Sequence, residues 1–394
     1  MSDRSNIFAS ALLAAIVVFT SGAARAQVQP APPMTPEIKI QPTLKDRFDQ
    51  IIETFMGDPS AGVDIDMKHV LDTWRSLGPK PLDTLSITEA REQPAPIEAA
   101  QKLMKDQAKT LDPYDVTVED VTYPGPGGTM PARIYLPAGA TGTAPKPVAV
   151  FYHGGGFVMD NKLGTDVTAR ALAGSTGAIV IAPSYRLAPE AKFPAAQEDA
   201  IAAYQWVLAN AGAHGGNPAR IAIVGEGAGG MLAIDTCMTA RDRKLPMPVA
   251  QILITPVAGI DMTTASYLQD AAARPWSQKA VAWAFSLELA DPAQLTDPRI
   301  DLIGHGNVEG LPPTTIITAE IDPLRSDGER LGGKLKLATV PVEMRDYDGV
   351  THDFFGMGSA VEKATLAQQL VAAQLKAAFA GKPEAGAANL DSGG

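Results

Sequence analysis

Gly225-Glu226-Gly227-Ala228-Gly229-Gly230 stands between an apolar run, Ile221–Val224, and a helix-forming stretch that begins at Met231. A strand that enters a helix through a sharp turn tolerates only small residues on either side of the turn. A nucleophile elbow therefore reads Gly-x-Ser-x-Gly. Gly225 and Gly229 satisfy that frame. The centre is Gly227, which has no side chain and cannot attack a substrate. The stretch predicts the backbone of an elbow and withholds its nucleophile.

Outward from the elbow, strands and helices alternate. Val148–Tyr152, Ala178–Ala182, Ile221–Gly225, Val249–Ile254, Thr314–Thr318 and Val342–Tyr347 are short apolar runs of buried-strand type. Helical stretches fall near 165–175, 195–210, 228–241, 325–338 and 359–380. This order argues for an α/β fold, a mostly parallel sheet with helices on both faces. Two further strands, Val116–Tyr123 and Met130–Leu136, flank the turn Pro124-Gly125-Pro126-Gly127-Gly128. Upstream, Phe48, Ile51, Ile52 and Phe55, then Ile97, Ala100, Leu103, Met104 and Gln107, recur at helical spacing, with Pro79, Pro81, Pro94 and Pro96 breaking the segment. Residues 258–300 do not fit the alternation and read as an inserted lid with helical pieces from Trp276 to Leu289.

Three other pieces stand at strand ends, where open α/β sheets place their ligands. Tyr152-His153-Gly154-Gly155-Gly156-Phe157 follows a buried strand. Its glycines let the backbone turn N–H groups toward a substrate, as an oxyanion hole requires. Glu320-Ile321-Asp322-Pro323 follows the strand Thr314–Thr318, and Gly349-Val350-Thr351-His352-Asp353-Phe354 follows the strand ending at Tyr347. Alone, Asp322 reads as a helix cap and His352 as a surface histidine. In the order elbow, acid, histidine, each at a strand end, they read as the remainder of a catalytic triad.

These motifs together resemble the hormone-sensitive-lipase-like branch of the α/β-hydrolases, the bacterial carboxylesterases with an HGGG motif. The resemblance runs from about Val116 to Phe379 and includes Tyr185-Arg186-Leu187-Ala188-Pro189-Glu190 and Phe193-Pro194-Ala195-Ala196. It implies an eight-stranded core with a helical cap made of the N-terminal helices and an insertion. It places the oxyanion hole at the N–H groups of Gly154, Gly155 and Ala228, the acid at Asp322 and the base at His352. Glu226 matches a variant found in some members and is given a supporting role. Homodimers through an edge strand are common in the family, and short to medium acyl esters are the substrates it implies. The family's serine would attack the ester carbonyl while the histidine takes its proton and the aspartate holds the histidine's tautomer. With Gly227 in that place, covalent acyl-enzyme chemistry does not carry over. Phe157, Trp276, Trp283 and Phe354 are the expected pocket walls.

Neither Cys237 nor Thr351 replaces the serine. Cys237 lies ten residues along the elbow helix, about 15 Å away at 1.5 Å per residue, and its apolar run predicts a buried structural thiol. Thr351 adjoins the histidine without an elbow to aim it.

The remaining signals bound the function. The 394 residues are 45% hydrophobic and 20% charged, enough to bury a large core without disulfides or a structural metal. Net charge of −11 with no basic run argues against a nucleic-acid partner. His69, His214 and His305 are scattered without metal-ligand spacing, and the glycine runs lack both a phosphate-loop lysine and a dinucleotide fingerprint, so no cofactor is expected. Arg4, the 13-residue apolar run Ile7–Phe19 and Ala24-Arg25-Ala26 describe a cleavable secretory signal over residues 1–26. That run is short of the roughly 20 residues a membrane span needs. The expected mature chain starts near Gln27 in the periplasm or outside the cell, with lead-in and cap helices over 27–112, the hydrolase core over 113–380 and a frayed Ala/Gly-rich tail over 381–394.

Three functions fit. The first is a carboxylesterase scaffold without its nucleophile, retaining a pocket for a small ester. The second is a serine-less hydrolase or lyase in which the His352–Asp322 pair activates water. The third is a non-catalytic receptor for a small ester or carboxylate ligand, and an intact acid–base pair weighs against it.

Overall fold

A computed structural model describes residues 61–111, 113–139 and 144–381. The expected signal, the proline-rich lead-in, the helical run Phe48–Phe55 and the tail beyond Gly381 lie outside the described residues. Among the described residues, no helix is long and apolar enough to cross a membrane.

The eight expected strands are present: β1 (Val116–Gly125), β2 (Gly128–Pro137), β3 (Lys146–Tyr152), β4 (Ile179–Pro183), β5 (Gly216–Glu226), β6 (Gln251–Ile254), β7 (Thr314–Ile321) and β8 (Val342–Thr351). They form one sheet in the order β1-β2-β4-β3-β5-β6-β7-β8. β1, β2 and β4 pair antiparallel, and every pairing from β4 through β3 to β8 is parallel. The helices are α1 (Ile65–Ser76), α2 (Ile87–Glu92), α3 (Pro96–Asp106), α4 (Lys162–Thr176), α5 (Ala195–Asn210), α6 (Ala228–Asp242), α7 (Ala265–Gln269), α8 (Gln278–Glu288), α9 (Arg325–Leu337) and α10 (Glu362–Ala380).

Alternate residues of the central strands feed two cores, because successive side chains of a strand leave by opposite faces. Val148, Val150, Ile221 and Ile223 pack with α5, α6, α8 and α9. Ala149, Phe151, Ala222 and Val224 pack with α1, α3, α4 and α10. Both faces are covered, which is why these strands read as continuous apolar runs. α6 is buried nearly all round, and Cys237 lies within it, fully buried as its apolar run predicts. α3 starts at Pro96, whose missing N–H costs nothing at a helix start, and ends one residue before the expected Gln107. The inserted segment contributes the short helix α7 and the longer α8 over the carboxyl ends of the strands.

Candidate active site

The elbow adopts the expected turn. Gly227 sits between β5 and α6 with φ +53° and ψ −117°, a left-handed backbone that side chains rarely adopt. A Cβ on Gly225 would collide with the Gly229 carbonyl, and one on Gly229 with the Tyr152 carbonyl. At Gly227 the surroundings are open by comparison. A Cβ there would lie 3.4 Å from His352 Nε2 and 3.8 Å from Gly154 Cα, which is ordinary contact. A side chain at this position would point at the histidine.

The acid and base meet as the sequence order implies. His352 Nδ1 lies 2.7 Å from Asp322 Oδ2, and both side chains are buried. The other carboxylate oxygen, Oδ1, accepts the Leu324 N–H at 2.9 Å. Asp322 therefore does the work of a turn cap and of a histidine anchor at once. Its carboxylate favours the tautomer with hydrogen on Nδ1 and leaves Nε2 facing the elbow.

The glycine loop is held from behind. His153 Nδ1 lies 2.7 Å from the Gly154 carbonyl, and the Tyr185 hydroxyl donates to the His153 carbonyl at 2.9 Å. The two rings stack with centroids 4.3 Å apart. Arg186 donates through its backbone N–H and its Nε to the buried Asp199 carboxylate, at 2.9 and 2.8 Å. Tyr185 of the sequence motif thus braces the loop that carries Gly154 and Gly155, while Arg186 ties the same segment to α5. Gly155 has φ +105°, and a Cβ there would run into the Met159 carbonyl, so this turn belongs to glycine. Ala228 is the first residue of α6, and its N–H is one of the four helix-start donors with no intrahelical acceptor.

Two cavities meet at this point. The larger, of about 570 Å³, is lined by Gly154, Gly155, His153, Glu226, Asp353 and Trp276, and by α1–α3 residues such as Trp74, Arg91 and Ile97. The smaller, of about 20 Å³, adjoins Gly227, Ala228 and His352. Trp276 and Gly155 line both. The cavity walls thus come from the N-terminal helices and the inserted segment, the two parts expected to form a cap.

Two expected wall residues lie elsewhere. Phe157 and Trp276 line the small cavity, but Trp283 and Phe354 do not. On α8 the cavity-facing residues are Val281, Ala284 and Phe285, which share one helical face; Trp283 is turned off it and packs half-buried on the core. Phe354 follows Asp353, whose φ of +66° reverses the chain, and is buried in the opposite-face core with its ring 5.6 Å from Tyr347.

Asp353 is the residue that motif reading passed over. Its Oδ1 lies 3.5 Å from His352 Nε2, on the side of the imidazole that faces the elbow. Trp276 donates a hydrogen bond to it and sets its ring edge-on to His352, with centroids 5.9 Å apart. Burial pulls the His352 imidazole toward neutrality, but the Asp322 and Asp353 carboxylates outweigh it and push its pKa up to about 9. Desolvation, with Asp353 nearby, pushes the Glu226 carboxyl up to about 8. No sequence pattern signals Asp353, because adjacency along the chain does not say which nitrogen of the histidine it faces.

A family model described as the alpha/beta hydrolase fold matches residues 149–356, from within the strand β3 that leads into the glycine loop to just past His352. The chain belongs to the α/β hydrolase fold family, and its relatives place it with the hormone-sensitive-lipase-like carboxylesterases. It is 38% identical over 271 residues to Esterase LipI of Mycobacterium tuberculosis, covering 68% of this chain and 84% of that protein. Carboxylesterase NlhH of the same species is 34% identical over 304 residues, covering 76% of this chain and 94% of the relative. Among solved structures, the esterase of Pyrobaculum calidifontis matches with a TM-score of 0.69 at 33% identity, over 77% of this chain and 96% of that one.

Proposed function

We propose that this protein is a secreted or periplasmic carboxylic-ester hydrolase scaffold for short to medium acyl esters whose nucleophile position is occupied by Gly227. It binds the ester carbonyl at the N–H groups of Gly154, Gly155 and Ala228, keeps the Asp322–His352 pair, and has little or no serine-type turnover. The observation that carries this reading is the elbow itself. Gly227 keeps the strained turn, and a Cβ there would stand 3.4 Å from the base nitrogen. Esterase relatives covering most of the chain support the ester as ligand.

The water-activating reading draws on the same 2.7 Å acid–base contact. It requires a neutral imidazole, and the Asp322 and Asp353 carboxylates favour the charged form of His352 at neutral pH. Hydrolysis by that route would be slow at neutral pH and would rise toward pH 9.

The test compares p-nitrophenyl ester hydrolysis by the Gly227 chain, by Gly227→Ser and by His352→Ala in the Gly227 background. We expect only Gly227→Ser to turn over fast, by roughly 10³-fold or more above the Gly227 chain. A Gly227 chain that is already fast and is silenced by His352→Ala overturns the nucleophile-deficient reading in favour of activated water. A folded Gly227→Ser protein that stays silent points to the receptor for a small ester or carboxylate ligand.

A further inference from the structure

The chain carries a net charge of −11, yet the wall of the large cavity holds two cations that no carboxylate of the described residues pairs with. Other basic residues of that wall are engaged: Arg75 pairs with Asp72 at 2.9 Å, Arg91 with Glu190 at 2.7 Å, and Lys80 lies in the field of Glu89. Arg274 and Lys162 are not. The half-buried Arg274 guanidinium donates to the Ala272 and Ala273 carbonyls at 3.2 and 3.4 Å, long bonds that both use Nη1. Among the described residues its Nε and Nη2 keep their donors for a ligand. Lys162 is the first residue of α4, where the N–H groups of the helix start already favour an anion. No acid stands in that first turn, so the lysine works against the helix and strengthens the positive field at the cavity.

The acids of the same wall are committed elsewhere. Asp353 faces the His352 imidazole at 3.5 Å, and Asp160 lies 4.0 Å from His153 Nε2. Burial pushes the Glu226 carboxyl up to about 8, so it is uncharged at neutral pH. Glu98 stands in the first turn of α3, where it complements the dipole of its own helix.

We propose that Arg274 and Lys162 form an anion subsite in the large cavity, and that the ester taken by this protein carries a carboxylate at the end remote from its scissile bond. The inference rests on the ester-binding reading above and names its substrate class. Arg274 stands two residues before Trp276, at most about 7 Å along the backbone, and the Trp276 ring centroid is 5.9 Å from that of His352. Gly154, Gly155, Lys162 and Arg274 all line the one cavity of about 570 Å³. An ester whose carbonyl meets the glycine loop therefore extends its far end toward the two cations. The planar guanidinium fits a carboxylate there with two parallel hydrogen bonds, and the ammonium adds a point charge. A neutral ester leaves both cations without a partner.

The test measures binding by the Gly227 chain with isothermal titration calorimetry at neutral pH. Ethyl hydrogen glutarate, with its carboxylate on the acyl half, is compared with neutral ethyl pentanoate; butyryl glycolate, with its carboxylate on the alcohol half, is compared with neutral propyl butyrate. Hydrolysis of the same four esters by Gly227→Ser, followed by NMR, gives kcat/KM. Arg274→Gln, Lys162→Gln and Arg274→Lys are made in both backgrounds, with thermal melts to confirm folding. We expect one charged ester to be preferred over its neutral counterpart by roughly tenfold in Kd and in kcat/KM, and the pair that shows it tells which half carries the carboxylate. Each glutamine substitution should cut that preference by roughly threefold or more, with Arg274→Lys keeping part of it. Salt at about 0.5 M should lower the preference without any substitution, which decides the matter if a variant does not fold. Equal use of charged and neutral esters, or a preference that survives both glutamine substitutions in folded protein, overturns the anion subsite. If Gly227→Ser hydrolyses the neutral esters with no preference for the charged ones, this inference falls alone. If it hydrolyses none of the four and the Gly227 chain binds none, the ester-binding reading falls with it.

Discussion

At the scale of single residues, the imidazole of His352 decides what this site does at a given pH. Asp322 holds Nδ1 at 2.7 Å, and Asp353 faces Nε2 at 3.5 Å. Two carboxylates around one ring favour its charged form, which is the wrong form for a base. Asp353→Asn should therefore lower the titration midpoint of His352 from about 9 by about one pH unit, and NMR of the imidazole C–H signals across pH would show it. An unchanged midpoint would mean that Asp322 and Glu226 set the value without Asp353. The elbow, the glycine loop, the acid and the histidine were all legible in the sequence because each is a short motif at a strand end. Asp353 was not, since its effect depends on a φ of +66° that turns its carboxylate back onto the preceding ring.

Among the elements, the segment between β4 and α5 links sequence motif to site geometry. Tyr185 stacks on His153 behind the glycine loop, and Arg186 closes on Asp199 of α5. Asp199 is fully buried while the Arg186 side chain is 28% exposed, so Asp199→Ala would remove the carboxylate that accepts from the Arg186 backbone N–H and guanidinium without stranding the cation from water. The expected cost is about 1–3 kcal/mol, chiefly the lost charge-assisted hydrogen bonds, read as a lower urea midpoint with an unchanged slope. A loss under about 1 kcal/mol would show that solvent reaches the pair. α2 is tied to the same region: Arg91 donates to the Val158 and Ala188 carbonyls at 2.8 and 2.9 Å and pairs with Glu190 at 2.7 Å. These contacts join the N-terminal helices to the loops around the cavity. They were invisible in the sequence because the partners are separated by 67 to 99 positions.

Over the whole molecule, several buried acids bind protons more tightly than they would in an unfolded chain. Burial pushes Glu226 and Glu288 up to about 8, and Asp235 and Asp327 up to about 7. A folded-state pKa above the unfolded one gives stability that is present below the unfolded value and is lost as pH rises through the folded value. For these four groups the loss runs from about pH 4 to about pH 8. His352 acts with the same sign between about 6.5 and about 9. The melting temperature should accordingly fall between pH 6 and pH 9, and calorimetry at the two values would check it. Glu288→Gln should flatten that fall, whereas a melting temperature that climbs over this range would contradict the assignment.

The sequence by itself determined the sheet, the order of its strands along the chain, and the position of an elbow with glycine at its centre. Those features follow from local causes: apolar runs long enough for one strand, helical spacing between them, and turns that admit only small residues. Tertiary structure alone decided which aromatic residues line the cavities. Trp276 reaches the histidine from an insertion, Trp283 turns off the cavity face of the same segment, and Phe354 drops into the opposite core. It also decided that a second carboxylate faces the base and that a cavity of about 20 Å³ adjoins the glycine. Such features arise where elements distant in sequence pack against one another, and no local pattern records the distance between their side chains.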